Sequence, residues 1–392
     1  MNRNQFLILV VALLVLGGAG IALFWQDIAA YRESGAKIGA KLLPDLKVAH
    51  VAQMRLKDAK ETVTLVRKDN AWVVEERAGY PADVAAIADF LVKLVELKVT
   101  QVDQVGASLL PRVELVEPGK GEGAGTLIEL NDSAGKPLAR LVMGKKVLKK
   151  DPLNPLPAAK DGVPAGRYVL RTQAQDTVVV VSDPLNAAEA KPGKWLTKDF
   201  FKGERVKTLS AGPEGETPKW KITRDVEWGQ WKFASGGGDL NASAAVGAVN
   251  SLANISFTDV APGAKPEQAE KPWVVVAETF DALTYTVRIA KKKDGDDYHL
   301  TVEVAGEPPR ERTPEKDEKA QEKERRDKDF AETRKRLEER VAREKALAKW
   351  TYAVTANGVA PLLKEREQMT APKKKDEKSR NPEVTVGSRQ AR

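Results

Sequence analysis

Ser34 and Lys37 form the first pair with a chemical reading, because S-x-x-K places a lysine where it can activate a serine hydroxyl. No K-T-G follows, so no nucleophile is expected there. Asp294, Asp296 and Asp297 cluster like part of a calcium loop, but they lack the spacing and the closing Glu of an EF-hand. With Gly295 between them they read as a hairpin turn. The glycine-rich run GKGEGAG (119–125) has neither G-x-G-x-x-G spacing nor a G-K-[ST] ending, and so reads as a connector rather than a phosphate cradle. His50 and His299 are the two histidines and the chain has no cysteine. Three-His zinc sites, thiolate zinc sites, iron–sulfur clusters, disulfides and a thiol nucleophile are thereby excluded. The expectation is a protein that is not an enzyme, with no catalytic, cofactor-binding or metal-ligating residue and no cofactor.

Aromatic side chains offer a different chemistry. Trp220, Trp228, Trp231 and Trp273 concentrate in one stretch and could stack on sugar rings. Trp228 falls in a hairpin turn and is the one expected to be exposed. Nucleic acid is not an expected partner. The net charge of +8 over 392 residues is modest, and no basic stripe is interleaved with stacking aromatics.

These residues need elements to hold them, and the elements come in two similar series. In the first, TVTLVRKDNAWVV (62–74) alternates around Asp69-Asn70 as a hairpin, followed by the helical spacing of Val84, Ile87, Leu91 and Leu94 after Pro81. A strand follows from Val99. In the second, KWKITRDVEWGQWKF (219–233) is the hairpin. Asn241 caps a helix with apolar positions Val246, Val249 and Leu252, and ISFTDV (255–260) is the strand. A constant offset pairs Trp72 with Trp231, Ile87 with Val246 and Phe90 with Val249, and one deletion pairs Val102 with Val260. The hairpin at 126–144 is paired with that at 283–306, Tyr168 with Tyr352, and Pro184-Leu185 with Pro361-Leu362. The expected fold class is α+β, with two tandem modules at 48–204 and 205–371. Each would be a mostly antiparallel sheet carrying one packed amphipathic helix.

Phe6 to Trp25 contains no charge, and twenty residues at ~1.5 Å rise match a bilayer core of roughly 30 Å. Arg3 precedes it, so the positive side would stay in the cytoplasm. The expectation is a transmembrane anchor at 1–26, a juxtamembrane linker at 27–47, and an inner-membrane protein with its bulk in the periplasm. A cleaved signal peptide, with Gly20 and Ala22 near the cut, is the alternative.

Charge is concentrated in appendages. Residues 307–348 carry 14 basic and 13 acidic side chains, with i,i+4 pairs Glu324–Lys328, Glu332–Arg336 and Glu339–Arg343. A long solvated helix is expected there, starting no earlier than about Pro314, with too few apolar positions for a coiled coil. The Lys- and Pro-rich stretch 145–166 is its expected counterpart in the first module, and 372–392 reads as a disordered basic tail. These appendages account for the whole net charge.

The Trp-hairpin–helix units, GRYVLRT (166–172) and KWLTKDFF (194–201) together resemble the bacterial domain-of-unknown-function 4340 family over roughly residues 48–365. Ala82-Asp83 fits its helix-starting pair; Asn241-Ala242 and the insertion at 307–348 depart from the pattern. The resemblance implies a membrane-anchored extracytoplasmic protein, often encoded beside ABC-type transport components of the gliding-motility auxiliary kind, and it supplies no catalytic residues. The expected function is accessory or scaffolding, with the membrane and transport-complex subunits as partners. The alternative is an envelope glycan- or cell-wall-polymer-binding module.

Overall fold

The computed structural model describes residues 37–103, 105–149, 162–171, 177–266, 271–314 and 318–372. The chain divides into two compact units between Lys198 and Asp199, inside the KWLTKDFF segment. Trp195 and Leu196 are buried in the first unit, Phe200 and Phe201 in the second.

In the first unit the elements run β1 (Gln53–Lys57), β2 (Thr62–Lys68), β3 (Ala71–Val74), β4 (Tyr80–Pro81), α1 (Val84–Glu96), β5 (Val99–Asp103), β6 (Thr126–Asn131), β7 (Pro137–Lys149), β8 (Val163–Arg171) and β9 (Thr177–Val181). One sheet takes them in the order β4-β3-β2-β1-β6-β7-β8-β9-β5, every strand pair antiparallel. The β2–β3 turn has Asp69 and Asn70 both at positive φ, the backbone that a two-residue hairpin turn needs to match strand twist. The α1 helix starts where the Asp83 carboxylate accepts the Ala86 N–H (3.0 Å), and it buries Ile87, Phe90, Leu91 and Leu94. Burial of side chains this size is worth roughly 1.5–3 kcal/mol each. A row of directly opposed residues, Leu127, Val142, Leu170 and Val178, crosses four strands and packs under Leu115.

The second unit contains β10 (Val206–Pro213), β11 (Trp220–Thr223), β12 (Lys232–Phe233), α2 (Ala242–Ala253), β13 (Asp259–Val260), β14 (Trp273–Thr279), β15 (Leu283–Lys291), β16 (Tyr298–Gly306), α3 (Ala320–Ala346) and β17 (Tyr352–Val354). The short helices α4 (Ala356–Val359) and α5 (Arg366–Met369) follow. Its antiparallel sheet has the order β12-β11-β10-β14-β15-β16-β17-β13. Alternation along β15 buries Leu283, Tyr285, Val287 and Ile289, while Thr284, Thr286 and Arg288 on the other face keep partial solvent contact.

Position by position the two sheets share one strand order, β4 being extra. In both units the residue that caps the helix donates its N–H to a late carbonyl: Asp83 to Trp195 (2.7 Å) and Asn241 to Met369 (2.9 Å). This correspondence corrects the sequence alignment in three places. The caps Asp83 and Asn241 set the helix offset one residue shorter, so Ile87 and Phe90 match the buried Ala245 and Ala248; Val246 is exposed, and so is Val84. The hairpin 126–144 is β6–β7, whose counterpart is β14–β15 rather than the expected 283–306, so the strand pairing is displaced by one strand as far as Tyr168 and Tyr352, while Pro184-Leu185 and Pro361-Leu362 follow the equivalent strands β9 and β17. Tyr168 therefore lies on β8 and Tyr352 on β17, in non-equivalent strands. The two charged insertions are also not equivalent, since one separates β7 from β8 and the other separates β16 from β17. Pro81 belongs to β4 rather than to the first helical turn.

Two larger expectations are corrected. In place of the expected α+β class with an N-terminal transmembrane helix, the described residues form two largely antiparallel sheets with few helices. The membrane anchor, and the single-pass inner-membrane location built on it, is not supported. Among the described residues no helix is long and apolar enough to cross a membrane. At 27 residues α3 has the length, but it is charged throughout; α1 and α2 have 13 and 12 residues. Residues 6–25, and with them Gly20 and Ala22, lie outside the described residues, as do 150–161 and the tail 373–392.

Candidate functional site

The residues singled out for chemistry do not converge. Ser34 lies outside the described residues and Lys37 is exposed. Gly123 and Gly125 are explained by packing. A Cβ at Gly123 would meet the backbone of Pro111, and one at Gly125 the carbonyl oxygens of Glu114 and Met143. Asp294, Asp296 and Asp297 form the β15–β16 turn, with Gly295 at positive φ and Asp296 3.5 Å from Lys291. His50 is exposed on a short 3-10 turn (Val48–His50). His299 faces Ala290 and Ala353 across β16, and burial followed by nearby Lys292 lowers its pKa. Among the described residues no cluster of His, Asp and Glu could hold a metal ion.

The tryptophans separate into two kinds. Trp220 and Trp273 donate their indole N–H groups to the carbonyls of Lys364 (2.7 Å) and Leu362 (3.0 Å), clamping the segment after β17. Trp231 is half-buried under the Arg224 guanidinium, 4.7 Å from its ring centroid. Trp228, at the tip of the β11–β12 hairpin, is 90% exposed, with the exposed Val226 beside it.

A polar cluster that the sequence did not announce sits where the last turns of α3 meet the second unit. Phe200, Phe201, Phe257, Tyr285 and Tyr352 pack ring against ring, with centroids 4.5–5.9 Å apart. Their hydroxyls point at the helix. Tyr285 donates to Glu344 Oε2 (2.7 Å), and Tyr352 donates to the Leu347 carbonyl (3.0 Å). The Lys202 backbone N–H supplies Glu344 Oε1 (3.1 Å), and Arg340 Nε stands 3.7 Å from the same oxygen. Arg340 also reaches Glu204 (2.9 Å). Nearby, the second buried carboxylate, Asp281, pairs with Arg205, which also meets Glu227 (3.0 Å). Burial raises the pKa of Glu344 against the opposing hydrogen bond from Tyr285, and burial also raises Asp281 against its pairing with Arg205. Burial, then the Glu344 hydrogen bond, pushes the Tyr285 hydroxyl up.

A cavity of about 120 Å³ opens beside Glu344, bounded by Asp199, Lys202, Arg340 and Arg343. A carboxyl biased toward its neutral form beside a tyrosine and an arginine is an arrangement used for proton transfer. Here, however, both Glu344 oxygens are taken by donors of the fold, and the geometry secures a helix.

That helix is bordered by its own lead-in. Lys345 Nζ donates to the Gly306 carbonyl (3.1 Å), Arg334 to the Arg310 carbonyl (3.1 Å), and Arg312 meets Asp327 (2.7 Å), so residues 306–312 run along α3. Phe330, Leu337, Val341 and Glu344 are its less exposed stripe. The i,i+4 pairs formed are Glu322–Arg326 (2.9 Å), Arg334–Glu338 (2.8 Å) and Arg340–Glu344 (3.7 Å), in place of the three expected. Arg334 also reaches the Arg310 carbonyl and Arg340 also reaches Glu204, while Lys328 and Arg336 are exposed. Sequence spacing held one signal for this, because Leu337 and Val341 lie seven and three residues before Glu344 and share its face.

No family model matches the chain, and neither the curated proteins nor the solved structures contain a match. The resemblance to the domain-of-unknown-function 4340 family rests on the quoted residues alone.

Proposed function

We propose that the protein is a non-catalytic, two-unit adaptor that joins other proteins and uses α3 as its principal contact arm. The observation that carries this reading is the rooting of α3. Glu344, Val341 and the Tyr352 hydroxyl hold its C-terminal end, while Arg325, Asp329, Glu332 and Arg336 along its length are exposed. A helix fixed at one end, with alternating charge on its outer face, offers a partner a rigid, charge-patterned surface. Transport-assembly subunits as the partner class come from the family resemblance only.

Site-specific photocrosslinking in cells tests it. A photoreactive residue at Arg325 or Glu332 should give discrete adducts that are absent when it is placed at the exposed Lys60. Adducts only from Lys60, or none from α3, would refute the reading. The exposed Trp228 favours a second reading, in which the β11–β12 tip stacks on an envelope glycan or cell-wall polymer. Retention on isolated cell wall that is lost in Trp228→Ala would select it.

A further inference from the structure

The first unit holds a groove of about 480 Å³ between residues 43–50 and the start of β7. Its lining combines two chemistries. Leu43 and Leu141 are buried, and Leu46 and Leu138 are half-buried, giving an apolar bed. Lys47, His50 and Arg171 stand around it, with Asp45 the single carboxylate in the lining. Arg140 also borders the groove, but it is engaged by Glu117 (2.5 Å) and Glu129 (3.1 Å). Among the described residues Lys47 and Arg171 have no acidic partner, and their charge is available to a ligand. Pro44, Asp45, Lys47 and His50 are exposed, so the groove is open along one side rather than enclosed.

We propose that this groove binds an acidic peptide segment of a partner protein, seating an aliphatic side chain on Leu46 and Leu138 with flanking carboxylates at Lys47 and Arg171. Charge complementarity argues for this occupant, because two cations with no acidic partner among the described residues, beside an apolar bed, match a ligand that alternates carboxylate and aliphatic groups. The volume lies within the range of ligand clefts, and the open side admits a chain that continues in both directions. The site is independent of α3, so it stands or falls separately from the contact arm.

The test uses the full chain and a fluorescein-labelled peptide, Glu-Asp-Leu-Glu-Leu-Asp, followed by anisotropy. Saturable binding is expected, weakening as salt is raised. Lys47→Glu and Arg171→Gln should each weaken it about five- to tenfold, and Lys60→Glu, remote from the groove, should leave it unchanged. Lys47 is exposed, so its variant is expected to fold even if Arg171→Gln perturbs β8; far-ultraviolet circular dichroism checks both. Three outcomes would overturn the proposal. They are no saturation at millimolar peptide, equal affinity for the peptide with Lys in place of Glu and Asp, or equal weakening by Lys60→Glu. Displacement of the peptide by an equimolar simple aliphatic carboxylate, dodecanoate, would likewise overturn the choice of a peptide as occupant.

Discussion

Replacing Glu344 by alanine removes the group on which the root of α3 converges. The Tyr285 hydroxyl and the Lys202 N–H lose their acceptor, and Arg340 loses its partner at 3.7 Å. A buried donor left without an acceptor costs about 1–3 kcal/mol, and the Tyr285 hydroxyl is such a donor, whereas the part-buried Lys202 N–H adds less, for a gross loss of about 2–4 kcal/mol. Part is returned, because the carboxylate that disappears was itself held in a site whose burial disfavours its charge. The net expectation is about 2 kcal/mol, below what breaking a fully buried pair costs. At 1.36 kcal/mol per factor of ten, hydrogen exchange in the last turns of α3 should accelerate by more than tenfold, while α1 in the first unit keeps its protection. Glu344→Gln keeps an acceptor and removes the charge, and should cost no more than about 1 kcal/mol.

The same site has a pH signature. Because the folded pKa of Glu344 is raised, its contribution is fully present below the unfolded value of about 4.3 and is lost as pH rises through the folded value. Protection of α3, corrected for intrinsic exchange, should therefore decline on raising pH from mildly acidic conditions, and Glu344→Gln should flatten that decline. Unchanged exchange of α3 in Glu344→Ala, or equal acceleration in α1, would refute the argument that this carboxylate roots the helix.

Three further outcomes are expected. Glu117, held at about 2 first by the Arg140 hydrogen bond and then by Lys120, contributes stability above the unfolded pKa that is lost as pH falls through about 2. Acid unfolding of the first unit should thus lose a step worth about 1.5 kcal/mol in Glu117→Gln, read from thermal melts between pH 5 and 2. Gly125→Ala forces a methyl against the carbonyls of Glu114 and Met143 and should destabilise the first unit by about 2–3 kcal/mol in urea titration, whereas Gly135→Ala meets no neighbouring atom and should cost less. Trp220→Phe leaves the Lys364 carbonyl without its indole donor and should cost about 1–2 kcal/mol, with faster proteolysis of residues 356–372 as the local readout.

Local patterns made several elements legible in the sequence. Asp69-Asn70 marked a hairpin because a two-residue turn needs backbone conformations that Asp and Asn tolerate, and Asn241 marked a helix start because its side chain can accept the Ala244 N–H (3.1 Å). Strand-period alternation in β15 and β16 exposed their inner face for the same reason. Local patterns leave open how one copy matches the other. Strand periodicity is identical in every antiparallel strand, so an offset that omits β14 is equally regular yet pairs Tyr168 with Tyr352 on non-equivalent strands.

Composition alone determined that this cysteine-free chain with two histidines lacks the ligands for thiolate, iron–sulfur or three-His metal chemistry, because those sites require particular atoms. Tertiary structure alone decided which charges matter. In sequence Glu344 is one of 13 acids in a charged run, indistinguishable from Glu338 or Glu339. It becomes a buried anchor because chain segments far apart in sequence bring Tyr285 and Lys202 to within hydrogen-bonding distance. Lys47 and Arg171 likewise meet at one groove only through the pairing of β7 with β8 and the fold of residues 43–50. Burial and long-range proximity set the energy of a charge, and neither is a property of the residues beside it in the chain.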